Sequence, residues 1–189
     1  MKRIFSIVAA LLFFSSPSIK AQSDAGAIFL LISPGARAGG MGEAQVAVAN
    51  DAYASYWNPA GLAFQEGSEL AVMHVNWLPS LADDMYYEFL GFRRQFPTLG
   101  TLGGHLIYLN LGEQVRMDEY AQYQGTFTSY MMAAALSYST QLSPSSSFGM
   151  SAKLSYQHLV ELGTGSEKGK GTSTDFGFDL GYMKKGWLT

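Results

Sequence analysis

The side chains that could do chemistry are few and widely spaced. Asp175 and Asp179 share one face of a predicted strand, where two carboxylates could act as an acid–base pair. His74, His105 and His158 lie far apart and share no metal-ligand spacing, which favours strand residues over a metal site. The chain has no cysteine, so thiolate zinc ligands and a cysteine nucleophile are excluded. We therefore predict neither a metal site nor a catalytic site, and assign the two aspartates to a wet interior.

Other signatures of catalysis are also missing. No serine occupies a G-x-S-x-G motif. The glycine-rich stretches 39–42 and 163–165 lack the strand-to-helix context and the spacing of a phosphate-binding loop. A net charge of −3 offers no basic stripe for nucleic acid. The sequence thus predicts a protein that is not an enzyme, uses no cofactor and has no nucleic-acid partner.

The elements that must position these residues are strands. Charged residues make up 14% of the chain, against roughly 25% in soluble domains. From Glu69 onward apolar and polar residues alternate, which predicts strands with two unlike faces. Lengths of about 9–13 residues suit tilted transmembrane strands. The predicted strands are residues 69–78, 85–96, 101–111, 128–142, 148–160 and 174–182.

The alternation is clear in the last three strands, whereas the second and third strands are poorly resolved. Strand 85–96 is ambiguous, because Glu88 and Arg94 share a face with apolar residues. In strand 101–111 the glycine pair 103–104 predicts a bulge.

The charged residues of the late strands indicate which face is wet. Lys153, Asp175 and Asp179 stand opposite apolar faces, and a Lys or Arg on the lipid face of a barrel costs roughly 2–4 kcal/mol. We expect all three in the lumen, with Lys153 and Asp179 facing each other across neighbouring strands and Arg37 able to pair with such carboxylates. A soluble sandwich, with a second sheet covering the apolar face, is the alternative.

Turn lengths give independent support for a barrel. Stretches 96–100 and 143–146 are tight, whereas 112–127 and 161–173 are long and polar. Outer-membrane barrels have short turns on the periplasmic side and long loops outside. The first strand would then run outward from the periplasm.

Residues 1–21 predict a secretory signal. Lys2 and Arg3 precede an apolar run over 4–14, and small residues lead to a cleavage site after Ala21. The run is shorter than the about 20 residues that span a bilayer. No later segment has 18 consecutive apolar residues, so no transmembrane helix is expected.

Residues 22–67 predict a compact plug. Glycine and alanine dominate 34–64, and its early glycines permit positive φ and close backbone approach. We expect a short strand at 45–49 and a helix over 52–57 capped by Asn50 or Asp51. Pro59 ends that helix, and Asn58 bonds its own backbone or simply forms a turn.

The same stretch resembles a known family. Its sequence GARAGGMGEAQVAVANDAYASYWNPAGLAF is similar to the N-terminal signature of the PorV/PorQ-type outer-membrane proteins, relatives of the FadL channels. The triplet Asn58-Pro59-Ala60 matches the NPA motif of the FadL-like hatch. The resemblance implies a plug or hatch motif that comprises Arg37, Gly39, Gly40, Gly42, Asn58, Pro59 and Ala60.

The resemblance also implies a function. A PorV/PorQ-type protein would lie in outer-membrane lipid and assist protein export and surface attachment in type IX secretion, with cargo proteins or secretion components as partners. A FadL-like channel, taking up hydrophobic small molecules past a gate at Asn58-Pro59-Ala60, is the second possibility. The third is a soluble secreted β module that binds a partner.

The predicted fold is all-β: a transmembrane antiparallel β-barrel, FadL-like by resemblance, with an N-terminal plug or hatch. Its parts are a signal peptide at 1–21, the plug at 22–67 and barrel strands at 68–189. About six strands are evident, whereas bacterial barrels start at 8. No closing strand that ends in an aromatic residue is evident, so the sequence predicts a truncated, partial barrel.

Overall fold

The computed structural model describes residues 26–118, 120–160 and 171–186. The predicted signal peptide at 1–21 lies outside this range. The described chain has two parts, an N-terminal segment of short helical turns and an antiparallel sheet. None of the helices in these ranges has the length and apolar character needed to cross a membrane.

Six strands form one sheet in sequence order, each antiparallel to the next. This confirms the all-β antiparallel prediction, and β1 and β6 are the two edges of the described sheet. The strands are β1 (Ser68–Asn76), β2 (Tyr86–Phe96), β3 (Gly100–Met117), β4 (Tyr123–Ser143), β5 (Ser146–Val160) and β6 (Gly171–Lys184).

Two details of the strand prediction are wrong. Residues 112–127 are not a long loop, because β3 and β4 continue through most of that stretch as a hairpin. Gly103 and Gly104 form no bulge, since the pairing of β3 with β4 is unbroken there and first shifts between Asn110 and Glu113. A Cβ on Gly103 would come within 2.9 Å of Leu62, so that glycine allows close packing instead. The predicted loop 161–173 falls mainly outside the described residues.

The N-terminal segment consists of five short helical turns. Two are 3₁₀ turns, at Ile28–Leu31 and Pro59–Phe64. Three are α-helical, named α1 (Ala36–Gly40), α2 (Gln45–Val48) and α3 (Ala54–Trp57). The strand predicted at 45–49 is therefore wrong. It is replaced by α2, whose first side chain, Gln45, is buried and donates to Asp51 at 2.8 Å.

The start of α3 differs slightly from the prediction. Asp51 does accept a hydrogen bond near that end, from the backbone N–H of Tyr53 at 3.1 Å, but the helix begins only at Ala54. It ends at Trp57, and Asn58 is extended before Pro59, as proline requires of its predecessor.

The N-terminal segment packs against one face of the sheet, called the inner face. Tyr53 stacks on Phe89 with ring centroids 4.9 Å apart. The ring of His105 also stacks on Phe89, with centroids 5.6 Å apart. Ser55 of α3 lies 3.1 Å from His105 Nδ1. The buried apolar core lies between the two parts and comprises Phe29, Tyr87, Phe89, Ile107, Leu109 and Ala133.

The inner face changes character across the sheet. On β2 and β3 it is largely apolar, because apolar residues of the N-terminal segment cover it. On β4 and β5 it is lined by small polar side chains, with Ser129, Ser137, Ser139, Ser147, Ser151 and Ser155 all buried. The opposite, outer face is apolar on β6, where Phe176 and Phe178 are 79% and 81% exposed. Alternation in β4–β6 thus placed the two faces correctly.

Aromatic rings border the outer face at both ends. The upper aromatic row lies at the end of the sheet nearer the β3–β4 turn. Its ring centroids are 6.0 Å apart between Tyr86 and Tyr108 and 5.9 Å apart between Tyr108 and Tyr130. His74, Tyr156 and His158 extend this row. The lower aromatic row lies at the short turns and comprises Phe96, Tyr138, Phe148 and Tyr182.

The β3–β4 hairpin extends beyond the upper aromatic row and ends in a turn organised by Asp118. Its carboxylate accepts backbone N–H groups from Tyr120 at 2.9 Å and Gln122 at 2.8 Å, and the side-chain amide of Gln124 at 3.0 Å. These bonds, with that of Gln122 first, lower the pKa of Asp118.

The turn should therefore loosen in acid. A depressed carboxyl pKa stabilises the folded turn above the unfolded pKa, and that contribution is lost as the pH falls through the folded value. We expect hydrogen-exchange protection of the Gln122 amide to fall as the carboxylate is protonated, and to be low at all pH values in Asp118→Ala. Protection that is independent of pH in the unsubstituted protein would contradict this.

Candidate functional site

Asn58 connects the N-terminal segment to the sheet. Its Oδ1 accepts the backbone N–H of Ala60 at 3.1 Å, which confirms that Asn58 bonds its own backbone. Its Nδ2 donates to the carbonyls of Val46 at 3.3 Å and of Tyr182 in β6 at 3.4 Å. One side chain thus caps the Pro59–Phe64 turn and holds both α2 and the last described strand.

The carbonyl of Ala60 lies on the inner face of the sheet. It accepts the hydroxyl of Ser147 at 2.7 Å and that of Ser139 at 3.2 Å. One turn later, Gln141 Nε2 donates to the carbonyl of Ala63 at 3.0 Å. Because Ala60 is fully buried, these hydroxyls satisfy a carbonyl that would otherwise lose its hydrogen bonds to water.

Two glycines make room for this backbone. A Cβ on Gly149 would come within 2.4 Å of the backbone of Pro59 and Ala60. A Cβ on Gly181 would come within 2.3 Å of Asn58 Oδ1. Neither distance is compatible with van der Waals contact, so only glycine lets β5 and β6 approach the motif this closely. Asn58-Pro59-Ala60 and its receiving surface, Ser139, Ser147, Gly149 and Gly181, are called the NPA seat below.

The early part of the expected motif lies apart from the NPA seat. Arg37 Nη1 donates to Asn50 at 2.6 Å and lies 3.4 Å from a carboxylate oxygen of Asp51. The expectation that Arg37 could pair with the carboxylates of the late strands is therefore wrong, because Arg37 pairs within the N-terminal segment. Gly42 has the expected positive φ of 61°.

Gly39 and Gly40 lie in α1 without positive φ. A Cβ on either would meet no atom within 4 Å, so neither glycine is required by packing.

The charged residues Lys153, Asp175 and Asp179 of the late strands share the inner face of the sheet, and their position in a barrel lumen stays a prediction. Lys153 Nζ is 3.0 Å from Asp179 Oδ2, which confirms the expected pair across β5 and β6. The lysine side chain is 17% exposed and the aspartate 39%. Asp175 accepts the hydroxyl of Ser173 at 2.9 Å and does not take part in the pair. The two aspartates therefore have different partners, which does not favour a carboxylate dyad.

The chemistry of the site is recognition of backbone groups. Among the residues in the described ranges, no cluster of three or more His, Asp or Glu side chains could hold a metal ion. The NPA seat presents hydroxyls, an amide and bare glycine backbone, which hold a polypeptide turn in place. The sequence alone does not indicate the two serines and two glycines of the NPA seat, because each resembles any other small residue on an alternating strand.

The glycines of the NPA seat should be intolerant of a single methyl group. Gly149 lacks a positive φ, so Gly149→Ala adds only the clash with Pro59 and Ala60. Overpacking of this kind costs about 1–3 kcal/mol. We expect the free energy of unfolding in detergent to fall by that amount, with faster tryptic cleavage of the N-terminal segment.

Gly177→Ala in β6 is the matched control. Its Cβ would meet only Lys153 Cβ, at an ordinary 3.8 Å. Equal effects of the two substitutions on stability and cleavage would show that close approach at Gly149 does not matter.

The Lys153–Asp179 pair should show charge coupling. We expect Lys153→Asp and Asp179→Lys each to destabilise the folded sheet, and the double exchange to recover part of the loss. Because Asp179 is partly exposed, the coupling energy should be about 0.5–1 kcal/mol. A double-mutant cycle of unfolding free energies measures it, and additive single effects would show that the pair contributes nothing.

Comparison with known proteins places the chain in a family. No curated protein matches it. The family described as type IX secretion system protein PorV matches residues 19–186, which include the N-terminal segment and all six strands. The match covers far more than half of the 189 residues. The chain therefore belongs to the PorV family of type IX secretion system proteins.

Proposed function

We propose that this protein is an outer-membrane β-barrel component of type IX secretion that assists the export and surface attachment of cargo proteins by offering them a docking platform. Membership of the PorV family supports the link to type IX secretion. The membrane placement and the role as a platform are proposals that rest on the surfaces of the sheet.

The outer face supports placement in a bilayer. Tyr156 of the upper aromatic row and Phe148 of the lower row are eight residues apart on β5. At about 3.4 Å per residue this is about 27 Å along the strand, and a tilt of about 40° reduces it to about 21 Å. An apolar band of about 25 Å between aromatic girdles is typical of outer-membrane barrels.

The inner face supports a platform more than an open pore. The N-terminal segment fills the space against β2–β4, and the NPA seat fixes it to β4–β6 through buried hydrogen bonds. A polypeptide held by several elements of one sheet resists displacement. Cargo would then contact the outside of the protein and not its interior.

The observation that carries the platform proposal is the projecting β3–β4 hairpin. Beyond the upper aromatic row it carries apolar and aromatic side chains that contact no core, with Val115 56%, Tyr123 65% and Tyr120 76% exposed. Exposed apolar groups on a projecting element are typical of a protein-binding surface. By the rule of long external loops, this hairpin would face the cell exterior.

Hairpin substitutions test the platform. We expect Val115→Ser with Tyr123→Ser to reduce the surface yield of cargo that bears a type IX C-terminal domain by about tenfold, because two exposed apolar contacts are lost. Leu142→Ser, an exposed apolar residue at the opposite end of β4, is the matched control and should leave that yield unchanged. The level and heat-shifted gel mobility of each variant report whether it assembles.

Three results would contradict the proposal. Hairpin variants that assemble and secrete normally would remove the platform role. Recovery of the natural protein from the soluble fraction, with no heat-shifted mobility, would remove the membrane placement. Loss of growth on long-chain fatty acids on deletion, with secretion intact, would favour uptake instead.

A further inference from the structure

The outer face carries a continuous apolar trough between the two aromatic rows. Three adjoining hollows of about 260, 490 and 430 Å³ run down it from the upper row to the lower. The upper and middle hollows share Leu106, Ala134 and Leu154. The middle and lower hollows share Phe92, Leu136, Ala152 and Phe178.

Two alanines create the trough. In the register of the sheet, Ala152 lies between Leu136 of β4 and Phe178 of β6. Ala134 lies between Leu106 of β3 and Leu154 of β5. A methyl group between large neighbours leaves a hollow, and the two alanines are diagonal neighbours, so their hollows join. Such a shape accepts an extended hydrocarbon chain side-on.

A cation lies beside the lower end of the trough. Arg94 pairs in register with Leu102, which lines the lower hollow. Its guanidinium lies over the ring of Phe96, 5.4 Å from the centroid. Among the residues in the described ranges it makes no salt bridge. A guanidinium that is held on an aromatic ring, without a carboxylate partner, is suited to bind a phosphate.

We infer that the trough and Arg94 together form a binding site for one phospholipid, with an acyl chain in the trough and its phosphate on Arg94. The inference rests on the membrane placement proposed above. Arg94 lies at the short-turn end, which faces the periplasm in outer-membrane barrels, so the lipid belongs to the periplasmic leaflet. An apolar hollow, the Arg94 guanidinium and interfacial aromatic rings thus lie together at the lower end of the trough.

The test uses the full protein, purified from membranes in detergent and delipidated. Native mass spectrometry follows its titration with dioleoyl phosphatidylglycerol. We expect Arg94→Gln to weaken binding about tenfold, because a charge-assisted hydrogen bond to phosphate is lost. Ala152→Phe places a ring in the trough, so we expect it to abolish the complex of the protein with one bound lipid.

Two controls match these variants. Arg116 lies over Phe127 with the same 5.4 Å geometry, but on the projecting hairpin, so Arg116→Gln should bind lipid normally. Leu142 is an exposed apolar residue of β4 that lines none of the three hollows, so Leu142→Phe should bind normally too. Dioleoylglycerol, which lacks the phosphate, should bind the unsubstituted protein and Arg94→Gln equally.

Unchanged affinity in folded Arg94→Gln, or equal loss in the two controls, would overturn the site in favour of a non-specific lipid annulus. Heat-shifted mobility shows whether each variant is assembled. Recovery of the protein from the soluble fraction would instead refute the proposed function. Failure of the lipid site and failure of the proposed function therefore give different experimental results.

Discussion

The contact between the backbone of Asn58-Pro59-Ala60 and the inner face of β4–β6 is the constraint on which the structure depends. It needs two residues without side chains, Gly149 and Gly181, and two hydroxyls that meet one buried carbonyl. A polypeptide turn has backbone N–H and C=O groups that are not paired within the turn. They can be buried only where other residues supply hydrogen-bond partners. The small, polar composition of this part of the sheet follows from that need.

Elsewhere in the sheet, the polarity of each face follows from what that face contacts. Its outer face is apolar between two aromatic rows, whereas its inner face changes from apolar beneath the N-terminal core to serine-rich on β4 and β5. Lys153 and Asp179 lie on this polar inner side and neutralise each other. Two such unlike faces support the membrane placement proposed above for this member of the PorV family.

The sequence could predict what depends on near neighbours. Alternation identified the faces of β4–β6, the pairing of Lys153 with Asp179 follows from a meander, and Asn58 bonds an atom two residues away. It could not predict contacts set by distant partners. Residues 45–48 are β-prone by type but helical because Gln45 is buried against Asp51.

The hairpin was missed for a different reason. Strand residues that project beyond a sheet have solvent on both sides, so residues 112–127 lose the alternation that marks a strand and resemble a loop. The serines of the NPA seat carry no local signal either, since Ser139 and Ser147 lie 79 and 87 positions from the carbonyl that they bind.

The span of the Asn58–Tyr182 hydrogen bond has a consequence for assembly. Its partners are 124 residues apart, one in the N-terminal segment and the other in β6. Closing so long a loop is entropically costly before the intervening strands have paired. We therefore expect the N-terminal segment to dock in two stages, with Phe29 packing once β2–β4 have paired and Asn58 gaining its bond to Tyr182 only after β6 has joined the sheet.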